Sequence, residues 1–132
     1  MNRLKSLNYL FLCMTMSLFF EQYSSANKST RFKLNYSTFE QLLIAHGFPK
    51  TAVPTMYCIA KHESGFNPVA YNLNKNRSFD VGLFQINQLW KKWCRMTDHD
   101  LLDVNNNVRC ARIVLDKQGY KAWVTFGKFC QN

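Results

Sequence analysis

The feature that most restricts how this chain can fold is a set of four cysteines, Cys58, Cys94, Cys110 and Cys130, all lying beyond an apolar leader. The leader has Arg3 and Lys5 as a positive flank, a mostly apolar run from Leu7 to Phe20, and the small residues Ser24-Ser25-Ala26 for cleavage. That is the pattern of a secretory signal over residues 1–26. As a membrane anchor the run is short, and no stop-transfer charges follow it. Cys13 leaves with the leader. An even number of cysteines in a small exported domain argues for two disulfides. Their spacings of 36, 16 and 20 residues resemble no compact zinc knuckle, so no metal site is expected. Four cysteines allow three pairings, and composition does not choose among them.

Residues 27–132 amount to 106 positions, room for one domain and too few for two. The whole chain carries a formal charge of +9, and loss of Arg3, Lys5 and Glu21 with the leader leaves +8. Such a charge attracts anionic partners, among them bacterial envelopes, acidic glycans and nucleic acid. Apart from Lys91-Lys92 the basic residues are scattered, and no nucleic-acid motif accompanies them. Nucleic acid is therefore not an expected partner. Neither is stable membrane insertion, because no second apolar span exists. A secreted, extracellular monomer is the expectation.

Apolar periodicity supplies the elements. Phe39, Leu42, Leu43 and His46 recur at helical spacing, and Gly47-Phe48-Pro49 ends that helix. Pro54 suits the first turn of a second helix, which runs to Glu63 and is stopped by Ser64-Gly65. From Asn67 to Asn87 the pattern changes to short alternating runs around Asn74-Lys75-Asn76, as in a small antiparallel hairpin sheet. A third helix follows from the stripe Val104, Val108, Ala111 and Val114 or Leu115, with Gly119 as its stop. Ala122-Trp123-Val124-Thr125-Phe126 reads as a short helical turn leading to Cys130. The class is α+β, mainly helical with a small inserted sheet and a cleft between the two parts.

Glu63 and Asp80 would face each other across that cleft in opposite environments. Glu63 shares a helix face with Ile59 and Ala60 and lies at the end where the dipole disfavours an anion, so its neutral acid is favoured. Asp80 sits in the alternating run Ser78-Phe79-Asp80-Val81-Gly82-Leu83, with Asn72, Asn74 and Asn87 close in sequence. Amide donors stabilise a carboxylate anion. One neutral acid and one anion is the division of labour required for glycoside hydrolysis.

Four segments carry a resemblance. They are Cys58-Ile59-Ala60-Lys61-His62-Glu63-Ser64-Gly65-Phe66-Asn67, Ser78-Phe79-Asp80-Val81-Gly82-Leu83-Phe84-Gln85-Ile86-Asn87, Val108-Arg109-Cys110-Ala111-Arg112-Ile113-Val114 and Ala122-Trp123-Val124. Over roughly residues 32 to 130 the chain resembles the animal c-type lysozyme family, which includes the lactalbumins. The resemblance implies a two-lobed fold and cleavage of β-1,4 bonds between N-acetylmuramic acid and N-acetylglucosamine in bacterial peptidoglycan. Lysozyme is itself the type case of this retaining, two-carboxylate chemistry. By the resemblance Glu63 is the proton donor and Asp80 the nucleophile or ion stabiliser. Asn72, Asn74, Gln85 and Asn87 fall on polar cleft positions, Trp90 and Trp123 on aromatic groove positions, and Asp116 on the outer rim. No cofactor is implied. The family pattern pairs Cys58 with Cys130 and Cys94 with Cys110.

The chain departs from that family by carrying four of the usual eight cysteines. Ser37 stands where the first would be, and the bridge pinning the loop after the sheet is missing. Those losses give weight to an alternative, a catalytically weak or inactive glycan-binding or cell-recognition protein on the same scaffold. Glu63-Ser64-Gly65-Phe66-Asn67-Pro68 followed by Gly82-Leu83-Phe84-Gln85 also resembles bacterial lytic transglycosylases, but Asp80 and the cysteines argue against them. Asp98, Asp100 and Asp103 offer oxygens to calcium, whereas Asn107 and Val108 stand where calcium-binding relatives place acids. Asn27-Lys28-Ser29, Asn35-Tyr36-Ser37 and Asn76-Arg77-Ser78 fit the N-glycosylation pattern.

Overall fold

A computed structural model describes residues 34–131. Residues 1–26, expected as a signal, with Cys13 among them, and the Asn27 triplet lie outside the described residues. Helix α1 spans Tyr36–Ala45 and is capped by Asn35, whose Oδ1 accepts the Thr38 N–H at 2.9 Å. Helix α2 spans Val53–Ser64 with Pro54 in its first turn. It ends on Gly65, whose φ of 59° places it in the left-handed region that a side chain disfavours. The sheet follows, with strands β1 Tyr71–Leu73, β2 Phe79–Val81 and β3 Ile86–Asn87 in antiparallel order β1-β2-β3. Asp80 pairs with Asn72 on one side and with Asn87 on the other.

A short helix α3, Lys91–Cys94, leads into α4, Val104–Gln118, whose N-terminus is capped by Asp103 accepting the Asn106 N–H at 2.9 Å. The segment expected as one helical turn from Ala122 divides in two. A 3-10 turn covers Tyr120–Ala122, Trp123 is extended, and helix α5 occupies Val124–Phe129. Trp123 breaks the run because its indole turns inward: it is 5% exposed, and its Nε1 donates to the Phe84 carbonyl at 2.9 Å.

Phe39, Leu43, Met56, Ile59, Phe84 and Val108 are fully buried and knit α1, α2, α4 and the sheet loop into one core. Each such side chain contributes about 1.5–3 kcal/mol relative to exposure. Disulfides join Cys58 to Cys130 and Cys94 to Cys110. The first ties α2 to the residue after α5, and the second ties α3 to α4. Among the described residues no helix is long and apolar enough to cross a membrane.

One buried polar residue fastens the sheet lobe to the helices. Asn107 on α4 is fully buried, donates from Nδ2 to the carbonyls of Val81 (2.8 Å) and Leu101 (2.9 Å), and accepts the Phe84 N–H at 2.9 Å. Both ends of its amide are thus used, as burial demands. The neighbouring acids are engaged as well. Asp98 binds Lys91 at 2.8 Å, Asp100 accepts Thr97 N–H and Oγ1, and Asp103 caps α4. Among the described residues no group of three His, Cys, Asp or Glu could hold a metal ion.

Candidate active site

Glu63 sits in the last turn of α2, and the end of that helix is held against the sheet lobe by its neighbour. Ser64 Oγ donates to the Leu83 carbonyl at 2.7 Å, within the loop that follows β2. From there the Glu63 carboxyl enters a cavity of about 330 Å3 that also receives Asp80, Gln85, Asn87, Trp90 and Trp123. Ile86, Val114, Ala122 and Val124 supply apolar wall, and Thr125 completes the lining. Half-polar, half-apolar clefts of this size suit ligands with hydroxyl groups and apolar ring faces.

Burial is the main reason the Glu63 carboxyl holds its proton above the ordinary value of 4.5. The Asp80 charge pushes in the same direction, while hydrogen bonds from Thr125 pull the other way. Thr125 Oγ1 donates to Glu63 Oε1 at 2.7 Å.

Asp80 is bound by two carboxamides. Asn87 Nδ2 donates to Oδ1 at 2.7 Å and Asn74 Nδ2 to Oδ2 at 2.9 Å. Behind them the buried Ser78 hydroxyl accepts from both of those Nδ2 groups, at 3.1 Å each, and donates to Asn76 Oδ1 at 2.7 Å. Asn72 stands one step back, with Nδ2 on Asn74 Oδ1 at 3.3 Å. Strand pairing explains the cluster: Asn72 and Asn87 are the cross-strand partners of Asp80, and Asn74 closes the turn between β1 and β2.

Not every residue singled out from the sequence reaches the cavity. Asn72, Asn74 and Asp116 do not line it. Asp116 is exposed on α4 in an ion pair with Arg112 at 2.8 Å, one helical turn away. Gln85 lines the cavity, yet its Nε2 is spent on the carbonyls of Gly82 (2.9 Å) and Ala70 (3.2 Å). Trp123 presents little surface because its indole is largely core. Two residues escaped the sequence reading, Thr125 and Ser78. Thr125 follows Trp123 by two places and Ser78 ends a glycosylation triplet, but no local pattern signals their hydrogen bonds.

A mainly helical lobe and a three-stranded sheet that together set two carboxyls in one cleft define a lysozyme-type α+β architecture. The chain belongs to the C-type lysozyme/alpha-lactalbumin family, whose family model matches residues 30–132. It is 32% identical over 99 residues to lysozyme c-1 of Anopheles gambiae, covering 67% of this chain and 69% of that one. To the milk isozyme of lysozyme C from Canis lupus familiaris it is 35% identical over 100 residues, covering 64% and 76% respectively. The crystal structure of a lysozyme from Litopenaeus vannamei superposes with a TM-score of 0.62 at 32% identity, over 75% of this chain and 88% of that one.

Proposed function

We propose that this chain, freed of residues 1–26, acts outside the cell as a muramidase that hydrolyses β-1,4 bonds of bacterial peptidoglycan with retention of configuration. The observation that carries the reading is the unequal carboxyl pair in one cavity. Glu63 is partly desolvated and keeps its proton above the ordinary carboxyl value, while two carboxamides bind both oxygens of Asp80. Glu63 then protonates the glycosidic oxygen, and Asp80 attacks the anomeric carbon or stabilises its positive charge. Trp90 offers an aromatic face to the sugar, and Asn87 helps to orient the aspartate. The formal charge of +8 after removal of the leader favours approach to an anionic wall and makes that approach sensitive to salt.

The test is turbidity loss of bacterial walls by the wild type, Glu63→Gln and Asp80→Asn, with folding followed by circular dichroism. The wild type lyses walls and both variants fall silent while folded. A folded wild type that leaves several peptidoglycans intact would sink the proposal. Tight binding of chitooligosaccharides without turnover would then favour the glycan-binding alternative, which draws support from the presence of only two disulfides among the described residues.

A further inference from the structure

We propose that Thr125 is a positioning residue for Glu63: its hydroxyl, donated to Oε1 across the α2–α5 contact, holds the carboxyl in one rotamer and leaves Oε2 as the oxygen that carries the acid proton. This rests on the reading of Glu63 as the acid. The geometry is specific. Thr125 Oγ1 lies 2.7 Å from Glu63 Oε1, and both residues line the same cavity. A carboxylic acid has one proton and two oxygens. An oxygen that accepts a hydroxyl proton is thereby favoured as the carbonyl oxygen, so the acid proton goes to the other one.

Thr125 reaches this place because Trp123 is drawn into the core and α5 starts at Val124, which sets the threonine in the first turn over the cleft. The Cys58–Cys130 bridge fastens the two helices at the far end of α5. The arrangement also offsets burial. Desolvation raises the proton affinity of Glu63 most and the Asp80 charge raises it further, whereas the bonds from Thr125 favour the anion. The other charged residues of α2 and α5 do not line the cavity. His62, next to Glu63 on α2, stacks on Phe129 at 4.3 Å, and Lys128 on α5 is not part of the lining. From the sheet, Asp80 is the charged residue in the lining.

The experiment is a carbon-13 carboxyl titration of Glu63 in wild type, Thr125→Val and Thr125→Ser, together with the pH profile of oligosaccharide turnover. Valine keeps the branch and loses the donor; serine keeps the donor. The Glu63 midpoint should rise by about one pH unit in Thr125→Val, a tenfold change in the acid–base ratio, and return close to wild type in Thr125→Ser. The alkaline limb of turnover should move with it, with kcat reduced and KM little changed. A midpoint that stays put overturns the proposal, and one that falls shows threonine accepting from the acid instead, which overturns it too. Should the valine variant unfold, Thr125→Ala carries the same titration. The titration needs no turnover: a shifted midpoint in a protein that lyses no wall sinks the enzyme reading alone, and active enzyme with an unshifted midpoint sinks the threonine alone.

Discussion

Asn107 and Gly82 interlock: a methyl group on the α-carbon of Gly82 would collide with the Asn107 amide and come within 2.6 Å of the Leu101 carbonyl oxygen. Gly82 also has a φ of +79°, which an L side chain rarely adopts. The residue directly follows β2, two places after Asp80, so the sheet's approach to α4 depends on this contact. Gly82→Ala should therefore lower stability by about 2–4 kcal/mol, through steric and backbone strain together. Urea denaturation checks it; a loss below half a kilocalorie would show that the contact relaxes freely.

Asn107 itself should be less replaceable than its polar character suggests. Asn107→Ala leaves the Phe84 N–H and the Val81 and Leu101 carbonyls without their side-chain partner in the interior, at a cost of about 2–4 kcal/mol. Asn107→Asp is the sharper test, because an ionised carboxylate has no proton to give the two carbonyls. That variant should lose stability as its carboxyl ionises, and a thermal melt series across pH would reveal the slope.

Glu63 follows the same pH dependence, but here the substitution should relieve a cost where those at Asn107 create one. Its folded-state proton affinity is raised above the ordinary value of 4.5, so the native state binds more protons than the unfolded chain between the two values. The stability this contributes is fully present below the unfolded value and is lost as pH rises through the folded one. Glu63→Gln removes the dependence and should equal or exceed wild type in melting temperature near neutral pH. If the variant unfolded there while wild type stayed folded, Glu63 would be a paired structural anion.

Ser78 is the hidden member of the aspartate cluster. Ser78→Ala frees the amides of Asn74 and Asn87 from their shared hydroxyl and should cost about 1–2 kcal/mol. Under the proposed mechanism it should also reduce kcat by more than it raises KM, since the residue acts by orienting Asp80. Equal effects on both constants would argue for a general loosening of the sheet. Ser78→Thr, which retains the hydroxyl, should recover most of the loss.

Helices and sheet were legible because each rests on local signals: apolar spacing in Val104 to Val114, Pro54 at a helix start, Gly65 at a helix end, and alternation around Asp80. The position of Glu63 beside buried Ile59 and Ala60 follows from helix geometry alone. What stayed out of reach depends on neighbours distant in sequence. Thr125 meets Glu63 across 62 positions, and Asn107 meets Phe84 across 23. Asp116 illustrates the reverse case, since its partner Arg112 is local yet turns the carboxylate towards an ion pair outside the cavity lining. Trp123 looked like part of a helical turn until the core claimed its indole.

Removing the Cys58–Cys130 bridge should harm the protein more than removing Cys94–Cys110. The chain-entropy cost of closure grows with separation, giving about 4 kcal/mol for the 72-residue loop and about 3 kcal/mol for the 16-residue one. Paired Cys→Ala variants compared by thermal denaturation test the order. A reversed order would show that loop length does not set the ranking of the two bridges.

The 72-residue span of that bridge has a consequence for biosynthesis. At roughly 5–20 residues per second, Cys58 waits about 4–14 s for Cys130 to be made. Cys94 and Cys110 emerge during that interval, so the first thiols offered to Cys58 are the wrong ones. The native bonds are nested, so any early bond from Cys58 to Cys94 or Cys110 must be reshuffled by thiol–disulfide exchange before Cys58 can pair with Cys130. Yield of this protein in a given host should accordingly follow the host's thiol-exchange capacity more closely than its rate of translation.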